Sequence, residues 1–467
     1  MADRRDFDVV VLGGGPGGYV AAIRAAQLGF KTAVVEKERL GGVCLNWGCI
    51  PSKALLKNSE VYRSATKAAE WGITIEGLSF DFKKVIDKSR TVSDTIVKGV
   101  EFLMKKNKIE VIPGTGKFVG KGELEVEGSG GVKTRVAGKH ILIATGGRPR
   151  PLPFAPFDGK LILSSRHALD RREFPKSILI IGAGAIGVEF ASFYNAFGSK
   201  VTLVEMMPMI VPVEDKEIGA VLRKSFEKRG MAIHTGAKVN SLAAAGKGIK
   251  AEIESGGAKQ VVEADCALVA IGIAPNTEEM GLDKIGVTMD RGFIKADRKT
   301  FATNVPGIYA IGDVNGPPLL AHVASAEGIV CVEQIAGHKT SKVDYDNIPG
   351  CTYCQPQIGS VGLTEEQCQE RKLDYKVGKF PYSALGKAKA VGETEGMVKL
   401  IFSKKYGELL GGHIIGPEAT EQIAELNVLK GAEGTQVELH RTIHAHPTFS
   451  EAVMEAAAAA DGEAIHI

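Results

Sequence analysis

The sequence has little of what marks a secreted or membrane-spanning protein. Its seven cysteines among 467 residues are sparse and odd in number for a secreted disulfide framework. No uninterrupted apolar run reaches the roughly 18 residues that a membrane-spanning helix needs. The first residues, MADRRDFDVVVLGGG, lead into a predicted strand without an apolar signal region. We therefore expect a cytoplasmic protein with reduced thiols and no membrane insertion.

An excess of charge of one sign is missing as well. The 58 basic and 55 acidic residues leave a net charge of +3, and no basic arm or cluster stands out. We therefore expect no nucleic-acid partner. An apolar content of 44% with 57 glycines is typical of a globular α/β chain rich in tight turns. The length predicts about three domains.

Two segments of the chain, residues 8–37 and 177–206, repeat one another. Each has a β-branched run, a glycine-rich turn, an amphipathic helix and a second strand that ends in glutamate. This order predicts a βαβ unit. Both copies fit G-x-G-x-x-G, and the glutamate follows the first glycine by 23 positions each time. The residues are Gly13, Gly15, Gly18 and Glu36 in the first copy, and Gly182, Gly184, Gly187 and Glu205 in the second.

Each part of this pattern has a use in holding a dinucleotide. The first glycine permits a tight turn, the second lets the backbone approach a pyrophosphate, and the third lets helix pack on strand. Amides at the helix N-terminus hold phosphates, and the glutamate accepts hydrogen bonds from ribose hydroxyls. A single such motif is a weak signal, but two in full βαβ context predict two dinucleotides. Because Glu205 would repel the 2′-phosphate of NADP and no arginine follows in MMPMIVPVED, the second unit favours NAD.

The segment LGGVCLNWGCIPSK holds Cys44 and Cys49. By itself it fits buried packing residues, a metal site, a structural disulfide or a redox pair. Five residues of regular helix rise about 7.5 Å, more than the Cα separation of about 4.4–6.8 Å in a disulfide. If the pair bridges, we expect residues 46–48 to distort the helix, with Gly48 supplying the freedom.

Further segments follow in order: ATGG, GAGAIGVE, AIGIAPN, AIGDV, LLAH and HAHPTFSE. With the glycine turns and the cysteine motif, the chain resembles the flavoprotein disulfide reductases over essentially its whole length. The resemblance implies an α/β fold with two Rossmann-like dinucleotide-binding domains, for FAD and NAD, and an α+β C-terminal dimerisation domain. The implied boundaries are 1–147 with 276–344 for the FAD domain, 148–275 for the NAD domain, and 345–467 for the interface domain.

The resemblance also assigns residues to the two cofactors and to catalysis, and it implies no metal. The FAD positions are Gly13, Gly15, Gly18, Glu36, Lys53, Gly116, Thr145, Gly146, Asp313, Leu319, Leu320, Ala321 and His322. The NAD positions are Gly182, Gly184, Gly187, Glu189, Glu205, Val239 and Gly272. The implied catalytic residues are Cys44, Cys49, His446 and Glu451. Among these, Lys53 would lie beside flavin N5, and Asp313 would bind the ribityl and phosphate region.

The implied reaction is the oxidation of a protein-bound dihydrolipoyl group with reduction of NAD⁺. His446 would take a proton from the dithiol and Glu451 would orient the imidazole, whereas His444 does not match the family position. Cys44 would exchange with the incoming dithiol and Cys49 would face the flavin. In the family the histidine serves the other subunit, which implies a homodimer. The implied partners are lipoyl-bearing carrier domains of 2-oxoacid dehydrogenase complexes or of the glycine cleavage system.

Three other classes of protein share part of this pattern. Glutathione-directed reductases share the cysteine pair, but Glu205 and the missing arginines disfavour NADP. Mercury-directed reductases have a second cysteine pair, which the C-terminus GEAIHI lacks. A flavin-binding docking protein without turnover would not need the cysteines, Lys53, His446 and Glu451 together.

The remaining five cysteines lie outside that motif. Cys351 and Cys354 form a C-x-x-C, but zinc would need two more ligands and none follow nearby. We interpret this pair as structural, with an ancillary redox or metal role as the alternative. Cys266, Cys331 and Cys368 stand singly and are interpreted as packing residues.

Overall fold

The protein begins with a mixed β-sheet that is flanked by helices. The structure is a computed structural model that describes residues 4–467. Up to residue 149 its elements are β1 (Arg4–Leu12), α1 (Pro16–Gln27), β2 (Thr32–Glu36), α2 (Gly42–Trp47), α3 (Cys49–Thr66), α4 (Phe82–Lys106), β3 (Glu110–Pro113), β4 (Thr115–Gly120), β5 (Glu123–Glu127), β6 (Lys133–Ile143) and β7 (Gly147–Pro149). Strands β3, β2, β1 and β6 are parallel, and β5 and β4 extend β6 antiparallel. The predicted first βαβ unit is confirmed as β1–α1–β2.

A second sheet follows, with a separate three-stranded meander. Its elements are β8 (Ile162–Leu163), α5 (Ser165–Ala168), β9 (Ser177–Ile181), α6 (Ala185–Ala196), β10 (Lys200–Val204), α7 (Lys216–Lys228), β11 (Ala232–His234), β12 (Ala237–Ala245), β13 (Gly248–Ser255), β14 (Ala258–Ala264), β15 (Cys266–Val269) and β16 (Ile273–Pro275). The parallel order is β11-β10-β9-β15-β8, and β12-β13-β14 form the antiparallel meander. The second predicted βαβ unit is confirmed as β9–α6–β10.

The chain then returns to the first sheet. The elements of this return are α8 (Leu282–Ile285), β17 (Met289–Asp290), β18 (Phe293–Ile294), β19 (Ile308–Ala310) and α9 (Ala321–Ile335). Strand β19 pairs in parallel with β6, with Ile308 opposite Ile141. The outgoing and returning connections, β7 and β16, pair with each other antiparallel. The second sheet is therefore an insertion between two strands of the first.

The C-terminal part is an antiparallel sheet covered by helices. Its elements are β20 (Gly350–Thr352), β21 (Gln357–Gly362), α10 (Glu365–Glu370), β22 (Tyr375–Pro381), α11 (Gly386–Ala390), β23 (Met397–Ser403), β24 (Leu409–Gly416), α12 (Ala419–Gly431), α13 (Gln436–Arg441) and α14 (Glu451–Ala459). The strand order is β20-β21-β24-β23-β22. The described chain also has short 3-10 helices at Ala68–Trp71, Ser129–Gly131, Gly312–Asn315 and Tyr382–Ala384. In residues 4–467 no helix is both long enough and apolar enough to cross a membrane.

The two glycine turns are nearly superimposable in their local geometry. Gly13 and Gly182 have φ of +107° and +99°, a left-handed conformation that favours glycine. A Cβ on Gly18 would lie 1.9 Å from the Gly13 carbonyl oxygen, and a Cβ on Gly187 would lie 1.9 Å from that of Gly182. A side chain at Gly18 or Gly187 would clash with the turn, so only glycine lets the helix pack against the turn in each unit.

An aromatic cluster joins the first sheet's helices to the second sheet. Phe82 on α4 contacts Phe193 on α6 and Phe197 directly after that helix, and Tyr62 on α3 stacks on Phe197 with ring centroids 5.1 Å apart. Most of these rings are buried in one core with β9 and β10. Such aromatic pairs add about 0.5–1.5 kcal/mol each beyond their buried area. The cluster fixes α3, and therefore the cysteine motif, against α6.

A buried lysine joins the second sheet's domain to the C-terminal sheet. Lys399 on β23 has a side chain that is 1% exposed, and its Nζ lies 2.9 Å from Asp215 Oδ2, 2.8 Å from Glu217 Oε2 and 2.7 Å from Glu365 Oε2. Burial alone would lower the pKa of Lys399, but the hydrogen bonds to these carboxylates raise it above its ordinary value. The lysine therefore stays charged and neutralises carboxylates from two domains.

We expect Lys399→Met to destabilise the protein by about 3–5 kcal/mol, because it leaves the fully buried carboxylate of Asp215 without a counter-charge. Chemical unfolding of the dimer, followed by circular dichroism, measures the loss. The matched control is Lys404→Met, which removes the exposed ion pair to Asp374 and is expected to cost no more than about 1 kcal/mol. Equal losses of unfolding free energy in the two variants would contradict the larger contribution assigned to the buried cluster around Lys399.

Candidate functional site

The cysteine motif lies where one helix ends and another begins. Helix α2 ends at Trp47, Gly48 has φ −147° and ψ −115°, and α3 begins at Cys49. The predicted break is confirmed at Gly48, whereas Asn46 and Trp47 remain helical. A Cβ on Gly48 would lie 3.1 Å from the Val43 carbonyl oxygen. The break brings Cys44 and Cys49 within hydrogen-bonding reach of each other, which a continuous helix would not allow.

The two cysteines are thiols joined by a hydrogen bond, the reduced form of the pair. The hydrogen bond from the Cys44 thiol and the charge of Lys53 outweigh burial and lower the pKa of Cys49 to about 7. The same hydrogen bond, together with burial, raises the pKa of Cys44 far above its ordinary value. Cys49 also occupies the first position of the 18-residue helix α3, where the helix dipole favours an anion. The pair can therefore hold one thiolate, on Cys49, near neutral pH.

Lys53 follows Cys49 by one helical turn and bonds a carboxylate of the inserted domain. Its Nζ lies 2.9 Å from both carboxylate oxygens of Glu189, which is only 9% exposed in its side chain. Glu189 belongs to α6, the helix that begins at the second glycine turn. Sequence reasoning assigned Lys53 and Glu189 to different cofactors, and the structure brings them together. The ion pair therefore links the dithiol to the second nucleotide unit.

The first glycine turn has the donors and the space that a dinucleotide needs. Its glutamate, Glu36, accepts the backbone N–H of Gly14 at 2.7 Å and that of Glu38 at 2.8 Å. Each carboxylate oxygen still has a lone pair for a ribose hydroxyl. Helix α1 has no side-chain cap and no acidic residue in its first turn, so its terminal amides can receive a pyrophosphate.

The second glycine turn repeats this arrangement. Glu205 accepts the backbone N–H of Ala183 at 2.7 Å and that of Met207 at 2.8 Å. Helix α6 also lacks a side-chain cap and an acidic first turn. A Cβ on Gly184 or Gly272 would have no atom of the described chain within 4 Å. Both turns fit a dinucleotide pyrophosphate, and the predicted position Val239 is buried nearby on the meander, in the core shared with the second sheet.

The remaining predicted FAD positions lie on strand β4, on the turn after β6 and around the N-terminus of α9. Thr145 Oγ1 donates to the Asn276 carbonyl at 2.7 Å, which ties the turn at Gly146 to the returning chain. Gly116 lines a cleft of about 400 Å³ with Lys37 and Met280. The segment Leu319, Leu320, Ala321 and His322 forms the start of α9, and His322 Nε2 lies 3.1 Å from the Pro349 carbonyl.

Asp313 lies just after β19, largely withdrawn from solvent. Burial, together with the neighbouring charge of Glu327, raises the pKa of Asp313 to about 6. Glu327 is 1% exposed and accepts hydrogen bonds from the Gly312 N–H at 2.6 Å and the Tyr345 hydroxyl at 2.6 Å. Two carboxylates in one low-dielectric site favour a polar, hydroxyl-bearing ligand that donates to Asp313, as a ribityl chain would.

His446 and Glu451 form a hydrogen-bonded pair at the start of α14. His446 Nδ1 lies 2.8 Å from Glu451 Oε1, and Thr448 N–H donates to Glu451 Oε2 at 2.8 Å. Burial alone would raise the pKa of Glu451, but these two hydrogen bonds outweigh it and lower the pKa below its ordinary value. The His446 side chain is 77% exposed. The dyad is therefore assembled within one chain, and Nε2 of the imidazole is free to face a substrate.

His444 has a different environment. Its side chain is 5% exposed, and Nε2 lies 2.7 Å from Glu425 Oε1. The hydrogen bond to Glu425 raises the pKa of His444, against the effect of burial. Both ring nitrogens are occupied, since Nδ1 lies 2.9 Å from the Thr442 carbonyl. His444 therefore braces the loop, whereas His446 projects from it.

The dithiol and the dyad belong to separate cores of the chain. Cys44 packs against the core of the first sheet, with Leu45 and Leu142. The segment after His446 packs in the core of the C-terminal sheet, through Phe449 and Val453. The exposed imidazole thus points away from its own domain core.

Sequence reasoning missed several residues that shape the site. The Arg166 guanidinium lies 3.8 Å from the centre of the Trp47 ring, which covers α2 between the cysteines. Arg90 Nη1 donates to the Asn46 carbonyl at 2.6 Å. Only the local sequence signal of Trp47, inside the cysteine motif, could have drawn attention to this contact. The two arginines, Arg90 and Arg166, are distant in sequence from the helix that they contact.

The other cysteines are mostly packing residues. Cys266, Cys331 and Cys368 are buried at 0% exposure, as predicted. Cys354 is also fully buried, with its thiol 3.2 Å from the Pro356 carbonyl, and Cys351 is half-buried. Within the described residues no group of three or more His, Cys, Asp or Glu side chains could hold a metal ion.

Two dinucleotide cradles with a dithiol between them define an oxidoreductase that couples a pyridine nucleotide to thiol–disulfide exchange. Residues 7–328 match the family model described as pyridine nucleotide-disulphide oxidoreductase, and residues 348–457 match the dimerisation domain of the same family. The chain belongs to the pyridine nucleotide-disulphide oxidoreductase family, and its C-terminal sheet is the family's dimerisation domain.

Curated relatives and solved structures agree with this assignment. The chain is 50% identical to the dihydrolipoyl dehydrogenase of Rhizobium etli, over 98% of this chain and 99% of the relative. It is 48% identical to the dihydrolipoyl dehydrogenase of Zymomonas mobilis, over the whole of both chains. Among solved structures it is similar to LpdA of Mycobacterium tuberculosis, with a TM-score of 0.90, 28% identity and coverage of 97% of this chain and 99% of that one.

We expect Asp313→Asn to stabilise the FAD-free protein about twice as much at pH 7.5 as at pH 5, because at pH 5 the loss of proton-linked stability is only about half complete. The folded pKa of about 6 lies above the ordinary value of 3.8, so the folded state binds the proton more tightly. That contribution to stability is present below pH 3.8 and is lost as pH rises through 6. Thermal unfolding of the FAD-free protein at the two pH values measures it, and Asp346→Asn, on an exposed aspartate, is the control. A gain that is the same at both pH values would contradict the assignment.

Proposed function

We propose that this protein is a dihydrolipoyl dehydrogenase. It oxidises a protein-bound dihydrolipoyl group through the Cys44–Cys49 pair and reduces NAD⁺, with FAD in the first cradle and NAD in the second. The observation that supports this most directly is the thiol pair whose Cys49 has a pKa of about 7 beside the Lys53–Glu189 ion pair. FAD, when bound, supplies a carrier that takes two electrons from thiols and gives them up as hydride.

The sulfur chemistry is a dithiol–disulfide exchange in which bonds and protons balance. In the oxidised enzyme, one lipoyl thiolate attacks the sulfur of Cys44, the bond to Cys49 breaks, and Cys49 leaves as a thiolate. The second lipoyl thiol then attacks the mixed disulfide, which releases Cys44 and the cyclic disulfide of lipoamide. A leaving thiol departs faster when its pKa is low. The lowered pKa of Cys49 therefore suits it to leave first.

The His446–Glu451 dyad moves the protons of this exchange. The lipoyl thiol must lose a proton before it attacks, and imidazole is the side chain that accepts one near neutral pH. Glu451 holds Nδ1 at 2.8 Å, which leaves Nε2 to receive the proton. The carboxylate stabilises the imidazolium that forms, without itself changing protonation.

The active site is completed by a second subunit in this proposal. His446 is exposed and precedes the segment that packs in the core of the C-terminal sheet, whereas Cys44 packs against the core of the first sheet. Ile443, three residues before His446, is 95% exposed. An exposed isoleucine beside the dyad is consistent with an isologous C2 interface, in which each dyad reaches the thiols of the partner. The lipoyl carriers are those of 2-oxoacid dehydrogenase complexes or of the glycine cleavage system, and the protein acts in the cytoplasm, where thiols are kept reduced.

We expect the FAD-loaded dimer to reduce NAD⁺ with dihydrolipoamide and to show at most weak glutathione disulfide reduction with NADPH. Cys49→Ser should lower kcat by at least about 1,000-fold, because the exchange loses its leaving thiolate. Steady-state absorbance of NADH measures both. Cys368→Ser, at a buried cysteine away from the site, is the control and should retain activity. Activity only with NADPH and glutathione disulfide would overturn the proposal.

We expect two inactive variants to complement each other when their subunits are mixed. Unfolding and refolding equal amounts of Cys44→Ser and His446→Ala gives heterodimers in which one of the two sites is complete. Random pairing should then restore about one quarter of wild-type activity. Each variant refolded alone is the control. If the mixture stays as inactive as its parents although dimers form, the dyad serves its own subunit.

A further inference from the structure

The C-x-x-C segment from Cys351 to Cys354 lies as a strap between the C-terminal sheet and α6. The Tyr353 backbone N–H donates to Glu189 Oε1 at 2.9 Å, and the Gln355 N–H donates to Ser192 Oγ at 3.1 Å. Cys354, fully buried, anchors the strap in the core that α6 shares. The strap is thereby fastened along one face of the helix that holds Glu189.

The strap places an aromatic ring on the lysine of the redox site. Lys53 Nζ lies 4.4 Å from the centre of the Tyr353 ring, within the range of a cation–π contact. The same Nζ donates hydrogen bonds to both carboxylate oxygens of Glu189 at 2.9 Å. The ammonium is therefore held from two sides, by a carboxylate of α6 and by the face of Tyr353.

The Tyr353 hydroxyl lies beside a cysteine of the same strap. The Tyr353 hydroxyl hydrogen-bonds the Cys351 sulfur, and the Cys351 thiol donates to the Thr420 carbonyl at 3.8 Å. Burial raises the pKa of Cys351 to about 11 and that of Tyr353 to about 12. Both groups stay neutral at physiological pH. A thiol with a raised pKa is a poor nucleophile near neutral pH, which favours the structural interpretation of the C-x-x-C.

The charge of Lys53 acts on the thiols of the active site. It lowers the pKa of Cys49, whereas the nearby carboxylate of Glu189 raises it. Any shift of the Lys53 ammonium towards Glu189 and away from Cys49 would destabilise the Cys49 thiolate and so raise the pKa of Cys49. The groups that face Lys53 are Cys44 and Cys49 at the helix break, Glu189 on α6, and Cys351 and Tyr353 on the strap.

We propose that Tyr353 is a positioning residue, whose ring holds the Lys53 ammonium where it stabilises the Cys49 thiolate. The role goes beyond the proposed function, because it makes the dimerisation domain of the same chain part of the electrostatics of the dithiol. It rests on the proposed function only in that Cys49 is the sulfur that must leave as a thiolate.

The test measures the pH midpoint of the Cys49 thiolate in the reduced, FAD-loaded dimer. One readout is the rate of iodoacetamide labelling at Cys49, located by peptide mass spectrometry, and the other is the long-wavelength absorbance of a thiolate beside the flavin. Tyr353→Leu should raise the midpoint by about 0.5 pH unit, as expected for loss of one cation–π contact. Tyr353→Phe keeps the ring and should match the wild type.

Variants at position 353 with a side chain of similar size keep the proposal testable if Tyr353→Leu fails to fold. Progressively fluorinated phenylalanines at position 353 keep the ring's volume and weaken its negative face, so the midpoint should rise stepwise with fluorination. Cys351→Ala, which removes the thiol and leaves the ring, should leave the midpoint within about 0.2 pH unit of the wild type. A midpoint that does not respond to fluorination would overturn the role of Tyr353, even if the wild type oxidises dihydrolipoamide. If the wild type lacks that activity, the labelling series still decides the proposal, since it needs no substrate.

Discussion

The ion pair between Lys53 and Glu189 is the interaction on which the arrangement of this protein depends. It joins the helix that begins at Cys49 to the helix that begins at the second glycine turn, and so connects the thiols to the inserted domain. A half-buried pair of this kind is stabilising only if its partners are well bonded. Two hydrogen bonds donated by Lys53 and one donated by the Tyr353 backbone N–H satisfy the carboxylate.

The chain uses buried charge at three places with different results. Lys399 neutralises several carboxylates and fixes two domains together. Asp313 and Glu327 leave negative charge in excess, which raises the pKa of Asp313 and suits a ligand rich in donors. At the dithiol, the Lys53 ammonium interacts with both the Glu189 carboxylate and the Cys49 thiolate. The same physics thus gives stability, ligand preference and reactivity, according to how completely each charge is paired.

What the sequence could predict depends on how far apart the interacting residues lie. The two glycine turns and their glutamates are local patterns, and both βαβ units are as expected. The break at Gly48 also follows from helix geometry and disulfide reach alone. The contact of Arg166 with Trp47 and the pairing of Lys53 with Glu189 join residues more than 100 positions apart. These depend on how domains pack, and no spacing rule in the sequence contains that information.

The position of β19 has a consequence for synthesis of the chain. Strand β6 is complete by residue 143, yet its parallel neighbour β19 begins only at Ile308. A nascent chain must therefore make the whole inserted domain before the first sheet can be finished. The paired connections β7 and β16 bring the two ends of the insertion side by side. The pairing of these two ends shortens the loop that the late strand has to span.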